Sequence, residues 1–381
     1  MANNNDNKVL NVPNLRFPEF TGEWKRTTIG TILTIGNGKD YKYLEKGNVP
    51  VFGTGGYMTS VDKSLYNGET TFIGRKGTIN KPFFYNGEFW TVDTLFYTYA
   101  FKNIIPKFTY CLFQTINWLK YNEASGVPSL SKATIEKIKV SLPSIKEQEK
   151  ISQLLFKLDE RIATQNKIIE KLESLIKGLN NEFHNNVTGI ITTFSEFGEA
   201  YSGLSGKNAE SFGSGKPYIT YLNVYQNDHI DDTKYDYVII HNDEKQNKVT
   251  NGDVLFTLSS ETPNEVGIGS VYLGNEDELY LNSFCFGIHI KNKELIYSPY
   301  MAYFVSCQYF RKAIYPLAQG STRFNLQKSD FMEKRLVLPS FECQKHIANV
   351  LDSLSEKVGI QRQQLSLLQT QKQYLLQQMF I

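Results

Sequence analysis

The sequence predicts an α+β protein in which two similar mixed α/β domains are joined by two long antiparallel coiled-coil helices. Two observations lead to this prediction. A heptad stripe of apolar residues occurs twice, and the segments before the two stripes repeat one another in the same order. The length of 381 residues agrees, because it favours two or three domains over one. We therefore expect an internal repeat with a pseudo-two-fold axis.

The two stripes have the spacing of a helix that packs against another helix. Apolar residues recur at alternating steps of four and three, and the first stripe contains no proline or glycine before Gly178. The second stripe follows 196 positions later (347 − 151), so that Gln165 falls on Gln361. A shared polar layer of this kind costs stability but can fix register and orientation. The predicted seam residues are Ile151, Leu155, Leu158, Ile162, Gln165, Ile169, Leu172, Ile347, Leu351, Leu354, Val358, Gln361, Leu365 and Leu368.

The linkers require the two helices to be antiparallel if they pair with each other. Only the residues from Asn185 to Thr193 connect the first helix to the second domain, with a reach of at most about 3.5 Å per residue. The second domain then leads into the second helix through Leu338-Pro339-Ser340. The end of the first helix and the start of the second are therefore expected at the same domain.

The composition allows substantial cores and favours a cytoplasmic protein. Hydrophobic residues make up 41% of the chain and aromatic residues 13%, and no run of about 18 apolar residues occurs, so no membrane span is expected. The four cysteines form no CxxC pair, which is typical of reduced, mostly buried thiols in a cytosol. The polar, Asn-rich start of the chain lacks the apolar core of a signal peptide and is expected to be flexible.

The net charge of +2 is unevenly distributed. Residues 1–144 carry 17 Lys and Arg against 11 Asp and Glu, a net charge of +6, which could attract an anion such as nucleic acid. Residues 185–340 carry 13 against 18, a net charge of −5. The second domain therefore offers no bulk attraction for DNA.

The first domain has the pattern of short strands followed by a helix. Glycine-containing turn signals, Gly53-Thr54-Gly55-Gly56, Asn67-Gly68 and Asn86-Gly87, separate runs rich in Thr, Tyr, Phe and Val. Residues Pro106 to Tyr121 have a helical pattern, and Ile135 to Leu142 form a short apolar segment before the first long helix.

The second domain repeats these segments in order, with offsets that grow from 165 to 196. The shared order predicts a duplication in which the second copy has gained loop residues. The matched segments are Ile29-Gly30 with Phe194-Ser195, Gly68-Glu69-Thr70-Thr71-Phe72 with Gly252-Asp253-Val254-Leu255-Phe256, Asp93-Thr94-Leu95-Phe96 with Asn282-Ser283-Phe284-Cys285, Pro106 with Pro299, Ser129-Leu130 with Asn325-Leu326, and Gln148 with Gln344.

Each long helix follows a Leu-Pro-Ser junction and a glutamine-containing segment that ends in Ile, and a short aromatic motif precedes Trp24. This arrangement resembles the specificity subunit of type I restriction-modification systems over nearly the whole chain. The second copy departs from it at Glu342-Cys343 and at Lys372, a charge in the seam. The residues that carry the resemblance are Leu15-Arg16-Phe17-Pro18-Glu19-Phe20, Leu142-Pro143-Ser144, Glu147-Gln148-Glu149-Lys150-Ile151, Leu338-Pro339-Ser340 and Gln344-Lys345-His346-Ile347.

The resemblance implies a DNA-recognition subunit of a larger complex. Each globular domain would be a target recognition domain that reads one half of a split site in double-stranded DNA. The helices would set the gap and dock two methyltransferase (M) subunits that carry S-adenosylmethionine, and restriction (R) subunits would use ATP and Mg. The corresponding boundaries are 1–22 for a flexible N-terminal segment, 23–143 and 186–339 for the recognition domains, and 144–185 and 340–381 for the helices.

The chain shows no motif for catalysis of its own. Gly267-Ile268-Gly269 lacks the third glycine of a dinucleotide-binding turn, and Ser214-Gly215-Lys216-Pro217 has proline where a P-loop needs Ser or Thr. The five histidines are scattered without metal-ligand spacing. We therefore expect a non-catalytic chain with no metal site and no cofactor of its own.

Two loops are the best candidates for DNA contact. The loop Gly74-Arg75-Lys76-Gly77-Thr78 offers an arginine for guanine and groups that can hold phosphate, although a solvated hairpin tip is an equally good interpretation. The loop Gly320-Ser321-Thr322-Arg323-Phe324-Asn325 is the second, although Arg323 could instead belong to a structural pair. The predicted DNA-contacting residues are Lys42, Arg75, Lys76, Thr78, Ser129, Ser259, Ser260, Arg323 and Asn325.

Two other functions compete with DNA recognition. A coiled-coil scaffold that binds only protein partners is favoured a little by the −5 charge of the second domain. A nuclease or methylase that acts alone is disfavoured by the missing motifs.

Overall fold

The computed structural model describes residues 10–185 and 187–381. The chain divides into two compact units: unit 1 comprises Met1–Asn166 and Gln363–Ile381, and unit 2 comprises Lys167–Arg362. Each unit therefore contains part of both long helices and one of the sequence repeats. Residues 1–9, which belong to the N-terminal segment predicted to be flexible, lie outside the described residues.

Unit 1 is built on a six-stranded sheet with the strand order β2-β7-β5-β6-β3-β4, in which β3 and β6 are parallel and the other neighbours are antiparallel. A separate antiparallel pair, β1 with β8, leads into the first long helix. The elements are β1 (Lys25–Thr28), α1 (Ile29–Ile32), β2 (Thr34–Asn37), β3 (Lys46–Gly53), β4 (Gly56–Val61), β5 (Tyr66–Gly74), β6 (Phe83–Thr91), β7 (Leu95–Tyr99), α2 (Pro106–Thr115), a 3₁₀ helix (Trp118–Tyr121), α3 (Lys132–Lys137), β8 (Lys139–Leu142) and α4 (Ile145–Asn185).

Unit 2 distributes its strands over smaller sheets with the orders β10-β17-β13-β15, β12-β11-β16, β14-β19-β18 and β20-β9. The elements are β9 (Ile190–Thr192), α5 (Phe194–Phe197), β10 (Gly198–Ser202), β11 (Phe212–Ile219), α6 (Tyr221–Gln226), β12 (Tyr235–Val238), β13 (Val254–Thr257), β14 (Ser259–Ser260), β15 (Gly269–Val271), β16 (Tyr280–Leu281), β17 (Cys285–Ile290), α7 (Ser298–Ser306), α8 (Gln308–Ile314), β18 (Ala318–Gln319), β19 (Phe324–Leu326), α9 (Lys328–Met332), β20 (Leu336–Leu338) and α10 (Phe341–Gln378), with short 3₁₀ helices at Ala209–Ser211, Pro263–Glu265 and Tyr315–Leu317.

The strand registers confirm the internal repeat. Phe72 of β5 pairs with Tyr97 of β7. The residues aligned with them in the second repeat, Phe256 of β13 and Phe286 of β17, also pair with each other. The pair β9–β20 leads into α10 as β1–β8 leads into α4. The two units are therefore versions of one α+β fold, as predicted.

In unit 1 the first half of α4 runs antiparallel to the end of α10. Asp159 contacts Lys372, whereas the buried Ile151 and Leu155, nearer the start of α4, share a core with Met379 at the end of α10. This core also contains the rings of the β1 and α2 region. The helix pair is thus packed into the domain rather than attached to it by a linker.

In unit 2 the second half of α4 runs antiparallel to the start of α10. Glu173 forms an ion pair with Arg362 at 2.7 Å, and Phe183, ten residues further along α4, packs against the core that contains Ile347 and Leu351. All the predicted seam residues in the two units are buried or half-buried. The antiparallel arrangement predicted from the linkers is confirmed within each unit.

Two predicted turns are wrong. Asn67-Gly68 and Asn86-Gly87 lie inside β5 and β6, where Gly68 pairs with Gly87. Both glycines have positive φ angles, 142° and 137°, and a Cβ on either would come close to the ring of a neighbouring tyrosine. Glycine at these positions therefore permits an irregular extended backbone under aromatic rings rather than a chain reversal. The turn predicted at residues 53–56 does connect β3 to β4.

The helix predicted from Pro106 to Tyr121 is interrupted. The chain leaves the helical conformation at Ile116, and a separate 3₁₀ turn begins at Trp118. The buried Trp118 indole donates a hydrogen bond to the Phe113 carbonyl at 2.8 Å, which orients the ring toward the core. Tertiary packing therefore takes precedence over the local helical pattern.

The described part of the N-terminal segment, residues 10–22, makes contacts with the rest of unit 1. Asn11 is buried and donates to the Trp24 carbonyl at 2.6 Å. The Arg16 guanidinium pairs with the buried Glu147 of α4 through two contacts of 2.7 and 2.8 Å, and this hydrogen bonding raises the pKa of Arg16. A bidentate charged pair of this kind fixes both groups.

Three of the four cysteines are buried, as the sequence predicts. Cys111, Cys285 and Cys307 are buried, Cys343 is exposed, and all are free. Burial raises the pKa of the Cys307 thiol to about 11, so that it is protonated at neutral pH. Among the helices of the described residues, none is both long enough and apolar enough to cross a membrane.

Candidate nucleic-acid interface

The predicted loop after β5 is held by hydrogen bonds to two other segments of unit 1. The Arg75 N–H donates to the Thr94 carbonyl at 2.8 Å, the Gly77 N–H donates to the Pro128 carbonyl at 2.8 Å, and the Leu130 N–H donates to the Arg75 carbonyl at 2.9 Å. These bonds fix the loop backbone, while the Arg75 side chain remains exposed. The structure therefore brings together the two segments that contain the predicted residues Arg75 and Ser129.

Glycine is required at two points of this loop. A Cβ on Gly74 would lie 2.1 Å from the Thr78 carbonyl oxygen, and Gly77 has a φ of +92°. The tight backbone places the side chains of Arg75, Lys76 and Thr78 in solvent, where all three are exposed. Exposed arginine, lysine and threonine on a fixed backbone suit contacts to base edges and phosphates.

Arg75 lies against an aromatic ring. Its guanidinium carbon is 5.8 Å from the centre of the Phe96 ring, and its Nη1 is 3.3 Å from the Asp93 carbonyl oxygen. A cation–π contact of this kind restricts the side chain without using up the guanidinium donors. A cavity of about 460 Å³ opens beside it and is lined by Lys76, Ser129 and other residues of these segments.

The charges around this cavity are mixed. Arg75, Lys76 and Lys132 provide positive charge, and Asp93 and Glu123 provide negative charge. Hydrogen bonds from Thr134 and Ser131 lower the pKa of the Glu123 carboxyl, which is therefore ionised at neutral pH. The excess of cations agrees with a site for a polyanion, and the carboxylates can accept from cytosine amino groups.

Unit 2 has a corresponding arrangement with a different arginine. The short strand β14 pairs with β19, so that Ser259 lies opposite Asn325. Arg323, just before β19, is exposed and lies over the Phe284 ring at 5.3 Å. Each unit therefore presents an exposed arginine stacked on an aromatic residue from the start of β7 or β17.

Ser259 and Ser260, which the sequence predicts to contact DNA, are buried in unit 2. Their exposed fractions are only 5% and 8%, and the Ser260 hydroxyl lies 3.3 Å from the Glu265 carboxylate. Hydrogen bonds, first from Thr262 and then from Tyr225, lower the pKa of Glu265, so that a negative charge lies beside these serines. Strand pairing with β19 buries them, and a buried hydroxyl next to a carboxylate does not suit DNA contact.

Lys42 lies apart from the cavity that Arg75 lines. It is exposed, and its backbone N–H donates to the Asp40 carboxylate at 3.1 Å. Its neighbour Tyr43 is also exposed and packs edge-on against Trp90. Lys42 and Arg75 therefore do not line the same cavity.

The sequence interpretation missed the aromatic residues under the two arginines. Phe96 and Phe284 both lie in the aligned segments at the start of β7 and β17, although their aligned positions differ by one residue. An aromatic ring next to an aligned loop was visible in the sequence, but which arginine it contacts depends on tertiary structure. In residues 10–185 and 187–381 no cluster of His, Cys, Asp or Glu side chains could hold a metal ion.

The comparisons with known proteins agree with the repeat. A family model described as the type I restriction modification DNA specificity domain matches residues 21–174 and 195–370. The chain is 26% identical over 265 residues to the specificity subunit of the type I restriction enzyme MjaVIII of Methanocaldococcus jannaschii, covering 64% of this chain and 61% of that protein. It is also 26% identical over 153 residues to the EcoprrI specificity subunit of Escherichia coli, covering 38% of each. The alignments thus span less than two thirds of these relatives.

Solved structures show the same fold. The S subunit of a type I restriction-modification system from M. genitalium superimposes with a TM-score of 0.60 at 17% identity, covering 97% of this chain and 99% of that one. A chain from a structure of type I R-M complex assembly gives a TM-score of 0.58 at 14% identity, covering 93% and 96%. At these identities the likeness concerns the fold.

The two family matches fall on the two repeats, and together they cover more than half of the sequence. Both repeats have the same strand register and the same entry into a long helix. The chain therefore belongs to the type I restriction-modification DNA specificity family.

Proposed function

We infer that this chain is the DNA-recognition subunit of a type I restriction-modification complex and that each unit reads one half of a bipartite site in double-stranded DNA. The observation that carries this proposal is the pair of exposed arginines, Arg75 and Arg323, each held over an aromatic ring. Arginine is the side chain that most often reads guanine in the major groove. Different loops carry it in the two units, as two different half-sites require.

The rest of the proposed contact set follows from exposure. Lys76, Thr78 and Ser129 lie in the same hydrogen-bonded segments as Arg75, and Asn325 follows Arg323 on β19. Lysine and threonine can hold phosphates, and asparagine can bond adenine through its N6 and N7 atoms. Lys42 remains a candidate for a phosphate contact at a separate position.

We assign spacing and assembly to the helix pair. The paired helices are proposed to set the gap between the half-sites and to dock two methyltransferase subunits on the surfaces that the seam leaves free. Exposed side chains on the back of α4, such as Lys157, Arg161 and Lys171, are available for such partners. Restriction subunits would join the same complex.

The chemistry is assigned to the partners. S-adenosylmethionine would be bound by the methyltransferase subunits, and ATP and Mg by the restriction subunits, in the cytoplasm. The purified chain alone is expected neither to methylate nor to cut DNA when these cofactors are supplied. Methyl transfer to adenine should begin when methyltransferase subunits are added.

The test is to map modified adenines in cells that express the chain together with its methyltransferase subunits. Wild type should modify one split sequence. Arg75→Ala should change or abolish reading of one half, and Arg323→Ala should affect the other, since one lost base contact costs about 1–3 kcal/mol. Arg26→Ala and Arg335→Ala are matched controls, because both arginines are exposed and lie outside the two loops.

The outcomes separate the proposal from its rival. If both loop variants alter the same half, or neither changes the modified sequence, the assignment of one half to each unit fails. If the chain binds methyltransferase subunits but the complex binds DNA without sequence preference, a protein scaffold is the better description. The −5 charge of residues 185–340 is the observation that keeps this rival under test.

A further inference from the structure

We propose that Phe284 is a specificity-determining residue of unit 2 and that its exposed ring contacts the C5-methyl group of a thymine beside the base pair read by Arg323. The inference rests on the proposed function, because it assigns a base contact within the half-site of unit 2. Phe284 lies outside the two candidate loops, residues 74–78 and 320–325. Its basis is the exposure, the rigid attachment and the neighbours of this ring.

Phe284 is exposed, although the aligned residue of unit 1 is buried. Its exposed fraction is 53%, whereas Leu95, the residue aligned with it in unit 1, is 1% exposed. Leaving a phenylalanine ring partly in water is less favourable than burying it. The two repeats therefore place an apolar residue at one position and use it differently, as a core residue in unit 1 and as a surface residue in unit 2.

The ring is attached to a rigid part of unit 2. The Phe284 carbonyl accepts from the Leu258 N–H at 2.8 Å, and its N–H donates to the Asn282 side chain at 2.9 Å. The next residue, Cys285, begins β17 and pairs with Thr257 of β13. Phe284 thus projects from the end of a four-stranded sheet, which fixes its position for recognition.

Arg323 and Asn325 complete a small recognition surface. The Arg323 guanidinium lies 5.3 Å from the centre of the Phe284 ring, and the structure shows no acceptor for its N–H groups among residues 10–185 and 187–381. Asn325, two positions further along the chain, is also exposed. A guanidinium, an amide and an apolar ring therefore face solvent together.

Each of these groups matches a different feature of the major groove. Arginine pairs with the O6 and N7 atoms of guanine, asparagine pairs with adenine, and an apolar ring recognises the thymine methyl group. The ring needs no positive charge for this contact. That property suits unit 2, because residues 185–340 carry a net charge of −5 and attract phosphates weakly.

The test measures DNA binding by the full chain in complex with its methyltransferase subunits. Once the modified sequence is known, each thymine of the unit 2 half-site is replaced in turn by uracil, which lacks the C5-methyl group. We expect one uracil to lower wild-type affinity about fourfold, since burying one methyl-sized group contributes about 0.8 kcal/mol. Phe284→Ala should bind the unmodified duplex with a similar loss and should no longer respond to that uracil.

Phe212→Ala is the matched control, because Phe212 is 38% exposed on β11 of the same unit. It should keep the wild-type response to uracil. The inference is overturned if no uracil lowers wild-type affinity, if the half-site contains no thymine, or if Phe284→Ala still responds to the same uracil. The uracil scan of the wild-type protein can overturn the inference even if Phe284→Ala does not fold. Loss of all sequence preference by wild type would instead refute the proposed function, and this inference with it.

Discussion

Gln148 and Gln344 occupy equivalent positions at the starts of the two long helices and make the same three hydrogen bonds within their own units. Each side-chain oxygen accepts from a backbone N–H just before α2 or α7. Each amide group donates to two carbonyls, one of which belongs to the junction proline, Pro143 or Pro339. Both glutamines are fully buried. In each unit, the glutamine therefore locks the start of the long helix to the globular part of that unit.

Replacing Gln148 with leucine should destabilise unit 1. The change leaves the Ile105 N–H and the Asn103 and Pro143 carbonyls without these partners, in a region that is buried at Pro143 and part-buried at the other two. We expect a loss of about 2–4 kcal/mol in the free energy of unfolding, since one unsatisfied buried group costs about 1–3 kcal/mol.

Chemical denaturation followed by circular dichroism measures this loss. Gln153→Leu is the control, because Gln153 is exposed on the same helix and should change stability little. Gln344→Leu should show a loss like that of Gln148→Leu. A loss no larger than that of the control would contradict the locking role.

Lys372 should depend on its partner Asp159. Lys372 lies in the α10 seam, where its ammonium group contacts the Asp159 carboxylate at 2.5 Å and the Gln114 side chain at 2.6 Å. The repeat places Ile176 and Ser355 at the equivalent positions (372 − 196 and 159 + 196). Lys372→Ile should destabilise unit 1 by about 2 kcal/mol, below the value for a fully buried pair because the side chains are 13% and 28% exposed.

The double variant Lys372→Ile/Asp159→Ser should be more stable than Lys372→Ile alone, because it removes the uncompensated carboxylate and copies the other repeat. Lys132→Ala serves as a control for a surface ion pair, since Lys132 and Glu136 are 41% and 35% exposed. Equal stabilities of the single and double variants in a denaturation series would show that the two residues are not coupled.

His184 should make unit 2 sensitive to mild acid. The ring is 2% exposed, its Nδ1–H donates to the Asn180 carbonyl at 2.6 Å, and its Nε2 accepts from the Tyr300 hydroxyl at 3.0 Å. Burial lowers the pKa of His184 below 6.5. The unfolded chain therefore takes up the proton first as pH falls. The stabilisation is fully present above pH 6.5 and is lost as pH falls below it.

Thermal unfolding between pH 7.5 and 5 measures this effect. The midpoint for wild type should fall through this range more steeply than that of His184→Gln. The control His346→Gln alters an exposed histidine on α10 and should retain the wild-type slope. Parallel curves for wild type and His184→Gln would exclude a contribution from His184.

The sequence sufficed for features that depend on local periodicity or on comparison of the two repeats. The antiparallel direction of the helices followed from the linkers, and the aligned segments at Phe72 and Phe256 have the same strand register. The failures concern tertiary context. Whether Gly68 forms a turn or a strand depends on the opposite Gly87, and whether Ser259 is exposed depends on pairing with β19.

Only part of the candidate site could be predicted from the sequence, for the same reason. Arg75 and Arg323 were selectable because exposed basic residues in glycine-rich loops have a local signature. Phe284 could not be predicted in this way, since an apolar residue at the start of a strand is usually buried, as Leu95 is. Contact between distant segments decides which side chains face solvent together.

The length of the helices should set the preferred gap between half-sites. Deleting one heptad from each, Ile162 to Ile168 and Val358 to Gln364, preserves the phase of both seams. It shortens each helix by about 10 Å at about 1.5 Å per residue. Duplex DNA rises about 3.4 Å per base pair, so the preferred gap should shrink by about three base pairs if the recognition units follow the helices.

The folded deletion variant is tested against a library in which the two half-sites are separated by gaps of varied length. The bases read within each half should stay the same, because the deletion leaves the loops at Arg75 and Arg323 intact. Three fewer base pairs also rotate one half-site around the duplex, so a loss of tight binding at every gap is the other result that a helical ruler allows. A seven-residue deletion in α4 alone is the control, since it breaks the match between the seams and should impair folding. An unchanged optimum gap with unchanged affinity would show that the helices do not set the spacing.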